Sequence, residues 1–531
     1  MPSEGRNRKI AARAARASAR AVGRGSRIVR GQIVTSVGGP ARARVITLFG
    51  AVLALSTADS ATIGAVEPQL ASSLHISLTR VGLLSTVALL VGAVCVIPVG
   101  MAVDRVKRMP LLSASIVLWS VASLASAFSG SYETLLLTRV ALGAVTATAG
   151  PAIASLTGDY FPASERGRVY SYILAGEVGG TSAGFIVSGT VSSAISWRAA
   201  FVLLALAGFY LARALWRGVP EPLRGGQSHL EPGVTDLHEA LAAVRSRARE
   251  PWPAGPEDED APENELARDA VRRRGVSPDW NLVLNEDPAK MSITRAFRYI
   301  FQIPSNVMLI FGSSLGYFFF AGLQLYALAF MIHHYNVSQL TAELVLVMLV
   351  IGAIIGTLIS GRVSDALVRR GFVEARVLIP AVCYIGAFAL LIPGLLSSSL
   401  GSALWLDVAG AALLAAANPP LDAARLDIIP PGLWGRAESA RTVLRSLAQA
   451  FAGLIFAALA ELIEGIAPPL TPIGTHAHAQ HLHHLKPNVG LGLEYSFLIL
   501  LASLAAAGIF LLRARHRYSI DIATAAAASQ A

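Results

Sequence analysis

The sequence predicts an all-α integral membrane protein of about twelve transmembrane helices, arranged as two pseudo-symmetric six-helix bundles. Three observations predict this class. Of the 531 residues, 54% are hydrophobic and 15% are charged, whereas soluble domains are about a quarter charged. Apolar runs of about 20 residues recur, which is long enough for a helix to cross a bilayer. A glycine–aspartate–arginine motif occurs twice, beginning at Gly100 and at Gly361.

The repeated motif marks equivalent turns of two halves. The first copy contains Gly100, Asp104, Arg105 and Arg108, and the second contains Gly361, Asp365 and Arg369. Each copy follows one apolar run and precedes another. Two equivalent halves built of membrane helices are typical of secondary transporters.

The apolar runs predict twelve spans, and the basic residues predict their orientation. The spans cover residues 46–67, 80–101, 111–130, 134–157, 169–191, 198–217, 304–333, 338–360, 374–397, 400–424, 441–466 and 490–512. Of the 44 lysines and arginines, we place three outside (Arg80, Arg198, Lys486) and two inside spans (Arg139, Arg445). The remaining basic residues fall on one side, which predicts cytoplasmic termini and insertion in the plasma membrane. The net charge of +10 therefore indicates orientation, and no nucleic-acid partner is expected.

The chain divides into five parts. They are a basic tail (1–44), a first bundle (45–217), a cytoplasmic linker (218–303), a second bundle (304–513) and a C-terminal tail (514–531). The basic tail is either disordered or a clamp on anionic lipid headgroups. In the linker, an acidic, proline-containing run at 256–265 predicts disorder, whereas residues 291–303 predict a helix on the inner membrane surface.

An external loop, 467–489, contains five histidines between residues 476 and 484. Imidazoles bind metals, but no cysteine or carboxylate accompanies these histidines, so we favour a pH-sensitive or neutral loop over a metal site. Cys95 and Cys383 lie in spans of different halves, so no disulfide is expected. The sequence shows no nucleotide-binding loop and no catalytic triad. We therefore expect neither a cofactor nor an enzymatic activity.

Two charges lie inside the first bundle at nearly the same depth. Asp59 is about 20 Å from the inner end of its span, and Arg139 is about 9 Å from the outer end of its own. Because a charge in a bilayer normally faces water or a partner, these two side chains could pair. An aspartate that loses and regains its arginine changes its affinity for a proton, so we favour a proton-coupling switch. The alternative is a static ion pair that fixes helix register.

Further polar residues complete the candidate path. Glu67 is expected at the mouth of the cavity, and Glu177, among the glycines of the fifth span, is a candidate coupling acid. Arg445 is expected to extend to the interface. Tyr317, Gln324 and Tyr326 in the seventh span suit either a ligand cavity or a helix interface. Residues 418–420, Asn-Pro-Pro, predict a break in the tenth span.

The chain resembles the major facilitator superfamily along nearly all its spans. The two glycine–aspartate–arginine motifs match the signature loops of its two halves. Arg139 to Gly143, then Pro151 and residues 159–161, resemble the fourth-span signature and the loop after it. A narrower resemblance, carried by Ala58–Asp59 and Pro220 to Pro222, is to the Spinster-like branch of lipid and organic-solute transporters.

The resemblance implies the major facilitator fold, a protonated acid at Asp59 and an arginine, Arg139, that meets an anionic part of the substrate. It also implies that the signature residues latch the inner mouth through charge pairs and a helix end. The leading hypothesis is alternating-access transport of a small organic or amphipathic, lipid-like solute, coupled to protons. A polyspecific drug–proton antiporter of the same fold and a non-transporting membrane sensor or scaffold are the alternatives.

Overall fold

The structure of the protein is a computed structural model, which describes residues 34–35, 37–76, 78–224, 228–247, 266–466 and 489–528. These residues form helices joined by short loops, and no strand occurs among them. The acidic run at 256–265, the histidine-rich loop and most of the basic tail lie outside the described residues.

The first bundle contains six spans. Its helices are α1 (Pro40–Ala65), α2 (Glu67–Leu74), α3 (Leu78–Arg105), α4 (Arg108–Ala127), α5 (Tyr132–Thr146), α6 (Ala149–Tyr160), α7 (Arg166–Ala194) and α8 (Trp197–Gly218). The short α2 connects the first two spans, and α5 and α6 together form the fourth.

The linker carries three helices, α9 (Leu237–Arg247), α10 (Leu266–Arg273) and α11 (Ile293–Gln302). The helix predicted over residues 291–303 is present as α11, and its position on the membrane surface stays a prediction. It buries Ala296, Tyr299 and Ile300 on one face, as expected for a strongly amphipathic helix. The hydroxyl of Tyr299 donates to the Leu282 carbonyl at 3.2 Å, and burial raises the pKa of Tyr299 to about 12.

The second bundle repeats the plan of the first. Its helices are α12 (Pro304–Tyr335), α13 (Gln339–Arg369), α14 (Ala375–Leu395), α15 (Leu400–Ala416), α16 (Asn418–Ile428), α17 (Trp434–Ile466), α18 (Val489–Leu500) and α19 (Ala502–Ala528). The predicted break at Asn418 is the boundary between α15 and α16, with Pro419 in the first turn of α16, where a missing N–H costs nothing. It mirrors the break between α5 and α6.

Within the described residues, eleven helical segments are long and apolar enough to cross a membrane. The fifth span, α7, is not among them, because glycines, serines and Glu177 interrupt its apolar sequence. It nevertheless packs along α1, with Gly176, Gly180 and Gly184 against the α1 backbone. These glycines therefore allow α7 and α1 to approach closely.

Several helices extend beyond the apolar runs that predict them. The first begins at Pro40, and Arg42, assigned from sequence to the basic tail, is 1% exposed and forms an ion pair with Glu165. The last runs to Ala528 through the predicted C-terminal tail and buries Tyr518 completely. Apolar length marks the membrane core, whereas these ends are stabilised by packing against neighbouring helices.

The two bundles meet mainly through α3 against α17 and α7 against α13. Contacts of α6 with α17 and of α7 with α16 add to this interface. We call the end of the molecule that carries the loops 100–108 and 361–371 the signature end. The hydrogen bonds and ion pairs described below join the bundles at this end.

Candidate functional site

The first latch at the signature end joins Asp104 to the start of α17. Its carboxylate accepts the backbone N–H groups of Gly435 at 2.9 Å and Arg436 at 3.1 Å. The Arg436 side chain adds a third bond from Nε at 2.8 Å. A carboxylate at a helix N-terminus accepts hydrogen bonds from free N–H groups and interacts favourably with the positive end of the helix dipole. Asp104 and Arg436 are both almost completely buried.

The second latch is the mirror image of the first. Asp365, in the second bundle, accepts the backbone N–H groups of Gly167 at 3.0 Å and Arg168 at 2.6 Å. These residues begin α7 in the first bundle. Each bundle therefore caps a helix of the other with the aspartate of its own signature loop. The contact with a helix end that the resemblance implies is present in both directions, and its role as a latch stays a prediction.

The signature glycines allow the helices to approach closely beside the latches. A Cβ at Gly361 would lie 2.3 Å from the Gly167 carbonyl oxygen, and one at Gly100 would lie 2.0 Å from Ser439 Oγ. A backbone atom such as the Gly167 oxygen cannot rotate away, so a methyl group at Gly361 forces the bundles apart.

We expect Gly361→Ala to shift the protein away from the conformation closed at the signature end. The measurement is the rate at which a maleimide labels a cysteine placed at Ser364, which is fully buried here, in a background with both native cysteines replaced. Gly179→Ala is the matched control, because no atom lies within 4 Å of its added Cβ. Equal labelling of the two variants would contradict this role of Gly361.

Other basic residues of the signature loops bind in different ways. Arg369 donates to the Ser164 carbonyl of the first bundle at 3.3 Å, and Arg105 donates to the Met291 carbonyl of the linker at 3.1 Å. Arg108 departs from the expectation of a latch between bundles. It forms ion pairs with Asp159 and Glu221, both outside the second bundle, because its position at the start of α4 faces α6.

Two buried arginines, neither of them predicted from the sequence to join the bundles, also do so. Arg376, fully buried, pairs with Asp427 at 2.5 Å and donates to the Ala163 carbonyl of the first bundle. Arg166 of the first bundle lies 3.5 Å from the same Asp427 carboxylate. These residues stand at helix ends, where a single sequence gives no sign of a partner hundreds of residues away.

The predicted pairing of Asp59 and Arg139 is present inside the first bundle. Arg139 Nη1 lies 3.1 Å from Asp59 Oδ2, and Nη2 donates to Ser126 Oγ at 2.5 Å. The guanidinium carbon is 4.9 Å from the centre of the Phe201 ring. Asp59 is 2% and Arg139 is 1% exposed. The ion pair between Asp59 and Arg139 is therefore formed in this conformation.

A second charged group spans both bundles at mid-depth. Glu177 on α7 interacts electrostatically with Arg445 on α17, and the Arg445 guanidinium carbon lies 4.5 Å from the centre of the Tyr317 ring on α12. Arg445 follows the start of α17 by eleven residues, or about 16 Å. Its expected extension to the interface is therefore wrong, because α17 begins at Trp434 and not at 441.

A buried four-residue network supports this group from the second bundle. Arg425 pairs with Asp422 at 2.8 Å and with Glu438, and Arg441 pairs with Asp422 and, at 3.4 Å, with Glu438. All four side chains are at most 7% exposed. Two of them, Arg425 and Glu438, lie outside the predicted apolar runs, and Arg441 is the first residue of one. In the sequence, only the i, i+3 spacing of the acid and base in each pair signals the network.

The remaining predicted residues lie elsewhere. Glu67 is the first residue of α2 and is half-buried at the end opposite the signature loops. Gln324 is exposed. Tyr326 donates to the Gly453 carbonyl at 2.9 Å and stacks on Phe456, which favours the helix-interface alternative for this residue. Among the described residues, no group of three potential metal ligands comes together.

A family model described as Major Facilitator Superfamily matches residues 48–453. Curated relatives include the uncharacterized transporter YybO of Bacillus subtilis (24% identical over 41% of this chain and 49% of that protein). The hexuronate transporter of Bacillus subtilis (28%, over 30% and 37%) and the 4-hydroxybenzoate transporter PcaK of Pseudomonas aeruginosa (27%, over 35% and 41%) also match. The chain thus spans half or less of the length of these relatives.

Solved structures of similar fold cover most of the chain. A bacterial homologue of the human lysosomal transporter Spinster, in an inward-facing and unoccupied conformation, covers 91% of this chain and 98% of its own, with 20% identity and a TM-score of 0.50. The proton:xylose symporter XylE bound to 6-bromo-6-deoxy-D-glucose covers 91% and 96%, with 16% identity and a TM-score of 0.58. At these identities the likeness shows the fold.

Proposed function

The chain belongs to the Major Facilitator Superfamily and is a multi-pass membrane protein of secondary transport, and we propose that it moves a small organic anion by alternating access coupled to protons. The observation that carries this proposal is the pair of reciprocal latches. Asp104 and Asp365 each accept hydrogen bonds from the first turn of a helix in the opposite bundle. Such bonds suit rigid-body movement of two bundles about a central site.

The distribution of positive charge supports a cytoplasmic position for the signature end and for both termini. In this orientation the latches would close the inner mouth in the conformation described here. The plasma membrane is the proposed location. Release of both latches would expose the central site to the cytoplasm.

The substrate class is proposed from the group at mid-depth and from the relatives. Arg445 and Tyr317 offer a cation and a hydroxyl between the bundles, a combination that binds a carboxylate. Hexuronate, 4-hydroxybenzoate and D-galactonate, the substrates named for three relatives, all carry a carboxylate. Glu177 interacts with Arg445 in this conformation. When Glu177 binds a proton, Arg445 would be free to bind an anionic substrate.

Coupling is proposed to involve Asp59 in addition to Glu177. An arginine beside a buried carboxylate favours its charged form; when Arg139 moves away, the same carboxyl would bind a proton more readily. The pair would therefore exchange a salt bridge for a proton as the first bundle changes conformation. This is the switch alternative to a static ion pair.

The test is uptake into proteoliposomes under an imposed pH gradient, with a panel of radiolabelled solutes. The panel contains a sugar acid, 4-hydroxybenzoate, a lysolipid and a cationic dye. We expect gradient-dependent accumulation of a carboxylate. Accumulation of dyes with competition by lysolipids would favour the drug–proton antiporter, and no transport of any solute would favour a sensor or scaffold.

We expect Arg445→Gln to weaken transport of the anionic substrate. A hydrogen bond to a charged group contributes about 1.5–3 kcal/mol, so KM should rise by about 10-fold or more. Arg217→Gln is the matched control, because Arg217 is exposed at the end of α8. An unchanged KM in Arg445→Gln would exclude this arginine from the substrate site.

A further inference from the structure

Asp407 is a buried carboxylate that no described residue satisfies. It lies in α15 and is 3% exposed, and neither carboxylate oxygen has a hydrogen-bond partner among the described residues. Asp407 is not among the candidate residues predicted from the sequence, although an acid within an apolar run is a signal of function. An ionised carboxylate in such surroundings costs several kcal/mol, and the group normally becomes neutral instead.

The surroundings of Asp407 form a small apolar cavity within the second bundle. Phe319, Phe330, Leu391 and Phe497 are among the residues that line it. The volume of the cavity in which the centre of a water molecule fits is about 20 Å³, which is enough for one water. The carboxyl also lies against the α14 backbone, since a Cβ at Gly394 would be 2.2 Å from Asp407 Oδ1.

Among the described residues, the titratable groups near Asp407 supply no stable cation beside it. From α12, Tyr335 interacts with it electrostatically, but the Tyr335 hydroxyl donates to the Gly394 carbonyl at 3.0 Å. His334 of the same helix is held 3.2 Å from Glu494 of α18. The neighbouring helices α13 and α14 contribute Leu349, Leu391 and Leu395 to the wall.

The two halves place Asp407 and Arg139 at corresponding positions. Arg139 is the eighth residue of α5, and Asp407 is the eighth residue of α15. In the first bundle the charge at this level is neutralised by Asp59. Counted from the starts of α1 and α12, the position of Asp59 corresponds to Leu323, which lines the Asp407 cavity. Within the part of the chain that the structure describes, the second bundle therefore has the acid without a partner.

We propose that Asp407 is a second proton-binding site, located in the second bundle and occupied by a proton in the conformation closed at the signature end. Movement of α15 against α12 and α14 would admit water and release the proton to it, leaving the carboxylate hydrated. The role in coupling rests on the proposed proton-driven transport, whereas occupancy by a proton does not.

Infrared spectroscopy of the purified, lipid-reconstituted protein tests the occupancy at neutral pH. We expect Asp407→Asn to remove absorption of a protonated carboxyl group. The control Asp236→Asn should remove absorption of an ionised carboxylate only, because Asp236 is exposed. Loss of an ionised band from Asp407→Asn, or a change in its band on adding sodium, would overturn the proposal. If this variant does not fold, Asp407→Glu should shift the protonated band.

Transport assays test the coupling role separately. We expect Asp407→Asn to lose accumulation driven by a pH gradient and to retain exchange of solute between equal pools. Unchanged gradient-driven accumulation would overturn the coupling role. Transport by the wild type could be independent of the pH gradient while the infrared band still depends on Asp407. That result would contradict proton coupling as the proposed function and would support Asp407 as a proton-binding site.

Discussion

Asp365→Asn should open the signature end in a large fraction of molecules. Its carboxylate accepts two backbone N–H groups at the start of α7, and asparagine offers one neutral acceptor in place of the charged pair. Loss of charge-assisted bonds costs about 2 kcal/mol, so the ratio of closed to open molecules should fall by about 30-fold. Asp104→Asn should act in the same direction, because the two latches are equivalent.

Spin-label distances measure this shift at both ends of the molecule. One pair of labels replaces the exposed residues Val106 and Phe372 at the signature end, and another replaces Phe128 and Leu396 at the opposite end. We expect the first distance to lengthen and the second to shorten. The control is Asp236→Asn, whose carboxylate is exposed in the linker. Distances identical to the wild type would show that the latches do not hold the closed state.

Asp59→Asn should destabilise the protein and abolish coupling. It leaves the Arg139 guanidinium 1% exposed without its carboxylate, and breaking one side of a buried ion pair costs about 3–5 kcal/mol. Thermal unfolding in detergent measures the first effect, and accumulation under a pH gradient measures the second. Exchange of solute should persist in molecules that remain folded.

The double variant Asp59→Leu/Arg139→Met separates a switch from a static pair. Replacing both charges by apolar side chains is often neutral or stabilising, so the melting temperature should recover. If the pair is the switch, proton-driven accumulation stays absent in the stable double variant. Recovery of both stability and accumulation would assign the pair to helix register alone.

The architecture and the Asp59–Arg139 pair could be predicted from the sequence, because both depend on which residue types occur along the chain. Charges within apolar runs are rare, so Asp59 and Arg139 stood out, and their depths followed from helix rise. The repetition of glycine and aspartate marked the latch residues Asp104 and Asp365. Their targets could not be predicted, since Gly435 and Gly167 contribute backbone N–H groups, which carry no sequence signal.

The other residues of the site could not be predicted, because the helices that carry them extend beyond their apolar runs. The eleventh span was predicted to begin at 441, whereas α17 begins at Trp434. Because of this difference of about two turns, Glu438 was predicted to lie in a loop and Arg445 near the membrane interface. Asp407 was missed for another reason, because an acid in a span can be buried, paired or exposed to a cavity, and only its surroundings distinguish these cases.

The most direct test of the account is to measure proton movement together with solute movement. A pH-sensitive dye trapped in proteoliposomes reports lumenal pH when a transported carboxylate is added without any imposed gradient. Proton-coupled alternating access predicts a lumenal pH change with wild-type protein and none with Asp59→Asn, although solute exchange continues. Transport of the carboxylate by wild-type protein with constant lumenal pH, once the membrane potential is clamped, would contradict the account.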